Sequence, residues 1–128
     1  MSHTTRIQRR GEMTRRPLPE CHGGRGALDW TEVLGGVVQA GRRLAFLHDD
    51  VLPPGVSIGV HRHEDDEEYY YILAGRGTMT LDGERFLVAA GDVTAIFPGG
   101  SHGLENDSDA DLRVLVIGLA PDTPPPVG

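Results

Sequence analysis

The sequence predicts a small all-β domain of the jelly-roll or barrel type. Three observations predict it: short runs of β-forming residues are separated by glycine, proline or aspartate, Asp82-Gly83 marks a tight hairpin turn, and no apolar pattern of helical spacing persists for three turns. The chain contains 18 glycines and 9 prolines, which supply the frequent breaks that such a fold needs. Many short strands in hairpin order favour a closed or double-sheet architecture.

The predicted strands follow one another between these breaks. β-forming residues flank Asp82-Gly83 on both sides, and the sequence Ala-Gly-Arg-Gly at 74–77 indicates a second sharp reversal. No internal repeat of solenoid or propeller length is visible. We expect strands near 28–34, 43–52, 56–63, 67–74, 76–82, 84–89, 92–97, 102–106 and 111–119.

Length and charge distribution divide the chain into three parts. A chain of 128 residues has room for one domain, which we place at 17–120. Residues 1–16 carry five arginines and one acid with few large apolar side chains, so they are predicted to form a disordered basic leader, and Met13 is an alternative start of translation. Residues 121–128 are rich in proline and are predicted to form a disordered tail.

Composition excludes several classes of function. Cys21 is the only cysteine, so neither an intrachain disulfide nor a thiolate metal cluster can form. All 12 basic residues are arginine, and without lysine there is no Schiff-base or lysine-bound PLP chemistry. The net charge of −7 argues against a nucleic-acid partner. No apolar run is long enough to cross a bilayer, so we expect no membrane association and a cytoplasmic location.

The segment 54–75 contains three candidate metal ligands. Side chains two residues apart in a strand point to the same face, so His61 and His63 project together. The acidic run 64–67 is too highly charged for a buried strand and is expected to form a solvated turn. Chain reversal at this turn brings Glu68 back beside the two imidazoles. Two imidazoles and one carboxylate suit one divalent ion of Mn, Fe, Co, Ni or Zn.

A third imidazole follows a turn later in the chain. Residues 98–100, Pro-Gly-Gly, lead into His102, and a side chain that follows such a rigid turn has little local freedom. A lone His-x-His pair is a weak signal for a metal site. Two ordered motifs that together supply three imidazoles and a carboxylate are a strong one.

These two segments resemble the paired signature motifs of the cupin superfamily. The first motif, G-x5-H-x-H-x4-E-x6-G, is matched at five positions: Gly55, His61, His63, Glu68 and Gly75. The second, G-x5-P-x-G-x2-H-x3-N, is matched at Gly91, Gly99, His102 and Asn106. Phe97 occupies the proline position of the second motif and Pro98 follows it, which we interpret as a local variation of the turn.

The resemblance implies a fold and a ligand set. The fold is a double-stranded β-helix, or jelly-roll barrel, and its ion is held by His61, His63, Glu68 and His102, with positions left open for water, substrate or dioxygen. Glu67 is the alternative carboxylate, since some cupins use that shorter spacing. The distance to Gly75 favours Glu68, because Glu67 would place Ala74 at the motif's glycine position.

Other polar side chains are candidates for the pocket. Tyr70 has the same parity as Glu68, and it either hydrogen-bonds a substrate oxygen or is a buried core tyrosine. His48 is a candidate proton-transfer group or a surface histidine, and His22 is expected to be exposed in a flexible, glycine-rich stretch. Arg62 points away from its histidine neighbours, so the pocket lacks basic anchors and a highly phosphorylated substrate is disfavoured.

These features lead to a hypothesis about function. We expect a metal-dependent enzyme that acts on a small oxygenated organic molecule by enolisation, decarboxylation, isomerisation or lyase/cyclase-type chemistry. The alternatives are a non-haem Fe(II) dioxygenase and a non-catalytic small-molecule binding or sensor cupin. We also expect a homodimer, because one small barrel has difficulty burying the early apolar side chains Trp30, Val33, Leu34, Val37 and Val38.

Overall fold

The computed structural model describes residues 4–121, and the regular secondary structure of these residues is almost entirely β-strand. The ten strands are β1 (Thr14–Pro19), β2 (Ala27–Leu34), β3 (Leu44–Leu52), β4 (Ser57–Arg62), β5 (Glu67–Ala74), β6 (Arg76–Leu81), β7 (Glu84–Ala89), β8 (Val93–Ile96), β9 (Ser101–Glu105) and β10 (Leu112–Leu119). Short 3-10 helices lie between or before them at Arg10–Glu12, Cys21–Gly23 and Val38–Ala40.

The strands form two antiparallel sheets. The six-stranded sheet has the order β1-β2-β3-β10-β5-β8, and the four-stranded sheet has the order β4-β9-β6-β7. Strand β10 therefore lies inside the larger sheet, between β3 and β5. The two sheets enclose an apolar core whose most buried members are Leu28, Leu52, Ile72, Met79, Leu104, Leu112 and Val114. The predicted jelly-roll fold is confirmed.

Alternation along the strands determines which side chains reach the interior. In β5, Glu68, Tyr70 and Ile72 are buried, whereas Tyr71 between them is exposed. The predicted hairpin joins β6 to β7, and both residues of its turn have positive φ: 48° at Asp82 and 85° at Gly83. Alternation along β5 alone thus places the Glu68 carboxylate in an inner layer that is otherwise apolar and aromatic.

The predicted disordered leader differs from the structure in its last residues. Residues 14–16 belong to β1, an edge strand that pairs with β2 along its whole length. Their arginines have local partners that sequence composition does not reveal: Arg15 forms an ion pair with Asp29, and the Arg16 guanidinium lies 4.8 Å from the ring centre of Trp30. Two prolines are tolerated in this strand because one of its edges needs no donor.

The structure bears only in part on the predictions about the two ends of the chain, membrane association and the homodimer. Residues 1–3 of the leader and 122–128 of the proline-rich tail lie outside the described residues. In the part that the structure describes, no helix is long and apolar enough to cross a membrane. The side chains on which the homodimer prediction depends are half-buried, and Trp30 packs against the core of its own barrel. The homodimer stays a prediction.

Asn106 stabilises, through side-chain hydrogen bonds, the loop that follows β9. Its side-chain amide, fully buried, donates to the carbonyl oxygens of Leu52 at 2.8 Å and Ala110 at 2.7 Å. Its Oδ1 accepts hydrogen bonds from the backbone and hydroxyl of Ser108. One of these four hydrogen bonds joins the segment before β10 to the end of β3, and the other three hold that segment in its turn.

Asn106→Ala should destabilise the fold by about 2–4 kcal/mol, because it removes the donor to the buried Leu52 carbonyl and the hydrogen bonds that hold the loop, and creates a cavity. Urea unfolding followed by circular dichroism measures this change. Asp109→Ala is the control: Asp109 is exposed in the same loop, and its loss should change stability by less than about 0.5 kcal/mol. Equal midpoints for the two variants would contradict this account of the loop.

Candidate metal centre

Four side chains from three neighbouring segments meet between the two sheets. His61 lies in β4, His63 follows the last residue of β4, Glu68 lies in β5 and His102 lies in β9. The register pairs His61 directly with His102 across β4 and β9. Glu68 faces them from the other sheet, so the cluster spans the interior of the barrel. These are the four residues predicted from the sequence as ligands.

The potential ligand atoms lie close to one another. His102 Nε2 is 3.1 Å from His61 Nε2, 3.2 Å from His63 Nε2 and 3.0 Å from Glu68 Oε1. His63 Nε2 is 3.7 Å from the same carboxylate oxygen, and the four groups offer one atom each within 4.8 Å of one another. Donors at about 2.1 Å from an ion and at right angles are about 3.0 Å apart, so this donor set fits a single divalent ion.

The tight turn before β9 fixes two of the histidines. Gly99 has a φ of 94°, and its backbone N–H donates to the His63 carbonyl at 2.7 Å. The His63 N–H donates in return to the Gly100 carbonyl at 2.9 Å. The replacement of the motif's proline by Phe97 leaves this turn closed, with the Gly100 N–H bonded to the Phe97 carbonyl. The backbone of one ligand is thus clamped to the loop that positions another.

Hydrogen bonds at Nδ1 orient two of the imidazoles. His61 Nδ1 donates to the Gly59 carbonyl at 2.7 Å, and His63 Nδ1 lies 3.0 Å from Asp66 Oδ1. Each bond turns the Nε2 atom toward the cluster, as second-shell partners of metal-bound histidines do. The acidic run 64–67 is predicted to be a solvated turn; Glu64 and Asp65 are exposed as predicted, whereas Asp66 is half-buried against His63 and Glu67 begins β5. Nothing in the local sequence indicates that Asp66, and not a neighbouring acid, contacts His63.

The electrostatics of the cluster favour the protonation states that metal ligands need. Burial lowers the pKa of His61 to about 4, which keeps this imidazole neutral at physiological pH. Burial works to raise the pKa of Glu68, but the hydrogen bond with His102 and the charges of the three histidines together lower it below its ordinary value. The site therefore combines a carboxylate with an imidazole that is ready to donate a lone pair.

Glu67, the alternative carboxylate, lies on the other face of β5. Its Oε1 accepts a hydrogen bond from the Tyr69 hydroxyl at 3.1 Å, and its backbone pairs with Leu119. A one-residue shift along a strand reverses the side on which a side chain lies. The structure therefore places Glu68, and not Glu67, among the imidazoles.

Tyr70 and His48 both point into the interior from strands on either side of β10. Both pair with Val116, so they lie in one row of the inner face. Tyr70 is 2% exposed, its ring centre is 4.6 Å from that of His102, and burial together with Glu68 raises its pKa well above the ordinary value. His48 lies between Trp30 and Phe46, at 5.0 and 4.9 Å between ring centres, and is not a surface histidine.

Two further polar groups approach the site without having been singled out for it. Asp50 is 4% exposed, its Oδ1 has no hydrogen-bond partner among residues 4–121, and burial raises its pKa to about 8. Burial also raises the pKa of Cys21 to about 11, with smaller effects from Asp50 and Glu68. Asp50 ends an Asp-Asp pair in which Asp49 bonds to Arg113 on the outside. Strand parity alone could have indicated that one of the pair faces inward.

Fold and site define a double-sheet β-barrel with a candidate metal centre between its sheets. The family model described as "Cupin domain" matches residues 49–118, which include all four potential ligands. The chain belongs to the cupin superfamily.

Relatives with curated names or solved structures agree with this assignment. The chain is 33% identical over 114 residues to the oxalate-binding protein of Thermotoga maritima, covering 89% of this chain and 93% of that protein. It is similar, with a TM-score of 0.82 and 32% identity, to a crystal structure of a predicted oxalate decarboxylase from Thermotoga maritima, covering 89% of this chain and 98% of that one. A polyketide cyclase from Streptomyces resistomycificus shares the fold at 21% identity, with a TM-score of 0.71, over 91% of this chain and 80% of that one.

Asp66→Ala should weaken divalent metal binding by about 10- to 100-fold, because His63 loses the partner that fixes its ring orientation. Competition titration of Co²⁺ or Zn²⁺ against a chromogenic chelator measures the affinity. Asp65→Ala is the matched control, since its side chain is exposed and forms no hydrogen bond within the described chain. Unchanged affinity in a folded Asp66→Ala variant would show that this hydrogen bond does not matter to the site.

Asp50→Asn should reveal a pH-dependent cost of the buried carboxyl group. The folded protein holds the Asp50 proton up to a pH of about 8, whereas the unfolded chain releases it at the ordinary pKa of 3.8. Wild-type stability therefore falls as pH rises between these values, and the neutral variant lacks this loss. The stability difference should grow in favour of the variant by up to about 1.4 kcal/mol per pH unit and level off above a pH of about 8.

Urea unfolding of the metal-free wild type and variant across this range tests the Asp50 prediction. Asp109→Asn, an exposed change of the same chemical kind, should give a difference that is independent of pH. A stability difference for Asp50→Asn that stays constant with pH would mean that the Asp50 carboxyl is ionised in the folded state.

Proposed function

We propose that this cupin binds oxalate or a similarly small carboxylate at a divalent ion held by His61, His63, Glu68 and His102, and acts on it by decarboxylation or other lyase-type chemistry. The observation that carries the proposal is the donor set itself: three imidazole nitrogens and one carboxylate oxygen within 4.8 Å of one another inside the barrel. The likeness to the Thermotoga maritima oxalate-binding protein, along nearly the full length of both chains, supports the choice of ligand.

The charge of the site favours an anionic ligand. A divalent ion together with the single Glu68 carboxylate leaves a net charge of about +1 at the centre. Two titratable groups of the inner face stay neutral at physiological pH, since the pKa of His48 is lowered to about 4 by burial and that of Asp50 is raised to about 8. A positive centre in a weakly polar interior attracts a compact anion and disfavours a cationic ligand.

The interior offers few partners for the remainder of a ligand. Tyr70 is buried and its ring lies against that of His102, which favours a role as a core tyrosine that supports the ligand set. Neither ring nitrogen of His48 has a hydrogen-bond partner among residues 4–121, and the ring is held between Trp30 and Phe46. His48 is thus the candidate residue for exchanging a hydrogen bond or a proton with a bound carboxylate.

A bound divalent ion supplies Lewis-acid polarisation of a coordinated carboxylate or carbonyl oxygen. The chain's own residues orient the ligand atoms, exclude water through the apolar layer, and place the neutral His48 imidazole on the inner face. A small carboxylate needs no further basic anchor, which agrees with Arg62 being paired with Glu64 on the outside, at 3.7 Å.

A second candidate function is binding without turnover. The Thermotoga maritima relative is named for binding and not for catalysis. Among residues 4–121, the inner face beside the cluster offers the neutral His48 imidazole and the protonated Asp50 carboxyl group, a sparse set for acid–base chemistry. Binding alone requires only the ion and the pocket.

Calorimetric titration of metal-loaded protein with oxalate tests the proposed ligand. We expect binding to the loaded wild type, and its loss in the metal-free protein and in His102→Ala, because both lack a complete centre. Acetate is the matched ligand control, since it offers only one carboxylate and should bind more weakly. Absence of oxalate binding by protein with one ion per chain would refute the proposal.

Product analysis then separates the candidate functions. Oxalate decarboxylation yields carbon dioxide and formate in equal amounts and consumes no dioxygen. Consumption of dioxygen would favour the Fe(II) dioxygenase alternative, and tight binding without product would favour the binding module. Metal analysis of protein purified without a histidine tag identifies the ion with which these assays should be carried out.

A further inference from the structure

A loop ahead of β2 contacts the candidate metal centre from outside the region matched by the family model. The imidazole of His22 stacks on that of His61, with 3.6 Å between ring centres and an angle of 13° between ring planes. His22 lies in the short 3-10 helix Cys21–Gly23, whereas the family match covers residues 49–118. The sequence predicts an exposed histidine, and His22 is exposed, but its contact with a ligand was not predicted.

Close backbone packing holds this loop against β4. A Cβ atom at Gly24 would overlap the carbonyl oxygen of Ser57, and one at Gly59 would overlap the carbonyl oxygen of His22. Two hydrogen bonds add to this contact: Arg25 N–H donates to Ser57 Oγ at 2.9 Å, and Ser57 N–H donates to the Arg25 carbonyl at 3.0 Å. The loop can approach this closely only because both positions are glycine.

The loop also keeps an unfavourable backbone conformation. Glu20 and His22 have φ values of 49° and 50°, in the left-handed region that costs an ordinary residue about 1–2 kcal/mol. The hydrogen bonds of Gly23 N–H to the Glu20 carbonyl and of Gly24 N–H to the Cys21 carbonyl stabilise it. This conformation places the His22 ring on His61.

Among the three histidines of the cluster, His61 is the most exposed. His102 and His63 are buried, at 1% and 9% exposure, so the surrounding side chains restrict their rings. His61 is half-buried, and among residues 4–121 its hydrogen bond outside the cluster is that from Nδ1 to the Gly59 carbonyl. One hydrogen bond leaves the ring free to rotate about that bond, and a stacked neighbour removes this freedom.

Parallel stacking also indicates that His22 is not itself a ligand. An imidazole lone pair lies in the plane of its ring. Two nearly parallel rings 3.6 Å apart therefore cannot both direct a lone pair at one ion about 2.1 Å from His61. His22 accordingly does not belong to the group of four residues whose ligand atoms converge.

We propose that His22 is a positioning residue of the metal centre, which fixes the ring plane of His61 by stacking, and that the loop of residues 20–24 belongs functionally to the site. The proposal concerns metal binding and rests on the centre described above; it does not depend on which ligand the ion binds.

Two substitutions separate stacking from ligation. His22→Asn removes the ring but tolerates the left-handed backbone, so the loop keeps its conformation. His22→Phe keeps a flat ring of similar size but has no lone pair. The measurements are the Co²⁺ dissociation constant and dissociation rate, from chelator competition, and the visible absorption spectrum of the Co²⁺ protein, which reports ligand geometry. Thermal unfolding of the metal-free variants monitors the fold.

We expect His22→Asn to weaken Co²⁺ binding roughly tenfold, to accelerate its release and to change the spectrum. His22→Phe should restore most of the affinity and a wild-type spectrum. Wild-type affinity and spectrum in His22→Asn would overturn the proposal. A loss of affinity that His22→Phe fails to recover, in a protein that unfolds at the wild-type temperature, would also overturn it, because His22 would then act through a ring nitrogen. Oxalate is absent from these assays, so they can fail or succeed independently of the proposed function.

Discussion

Three imidazole nitrogens and a carboxylate oxygen face one another inside an apolar barrel, and this arrangement is costly without a cation. When none of these atoms carries a proton, as metal binding requires, lone pairs about 3 Å apart repel each other, and burial deprives them of the water that would screen the repulsion. The backbone bonds between His63 and the turn at 99–100, the bond from His61 to Gly59 and the register of β4 with β9 hold the groups in place despite it. The stability of the fold thus offsets the repulsion between groups that are arranged to bind a cation.

The sequence was sufficient for the fold and for the four ligands because both depend on local periodicity. Alternation along β4 and β5 fixes the parity of His61, His63 and Glu68, and the spacing around a glycine-rich turn fixes His102. The choice between Glu67 and Glu68 followed from the motif's spacing to Gly75, and the alternation along β5 agrees with it. The ordered strand β1 escaped prediction because its stability comes from pairing with β2 and from the partners of its arginines, which lie elsewhere in the sequence.

The surroundings of the centre could not be predicted in the same way. Asp66 is one of five consecutive acids, and only the path of the turn decides which of them contacts His63 Nδ1. His22 is separated from His61 by 38 intervening positions and reaches it through two glycine contacts that no residue pattern announces. From the sequence, Asp49 and Asp50 resemble two neighbouring surface acids. In the structure Asp49 binds Arg113 on the outer face, and Asp50 is buried. In this chain the local sequence identifies the ligand residues, whereas tertiary contacts determine the orientation of their side chains.

The position of β10 has a consequence for how the chain acquires its structure. Strand β10 fills the gap between β3 and β5, so the larger sheet stays divided until β10 has been synthesised and has paired with both neighbours. Such pairing must close long loops before any contacts compensate for the lost entropy, which makes assembly of this sheet slow. His61, His63 and Glu68 emerge first as an incomplete chelator, and the barrel that isolates them from other metals and thiols closes last.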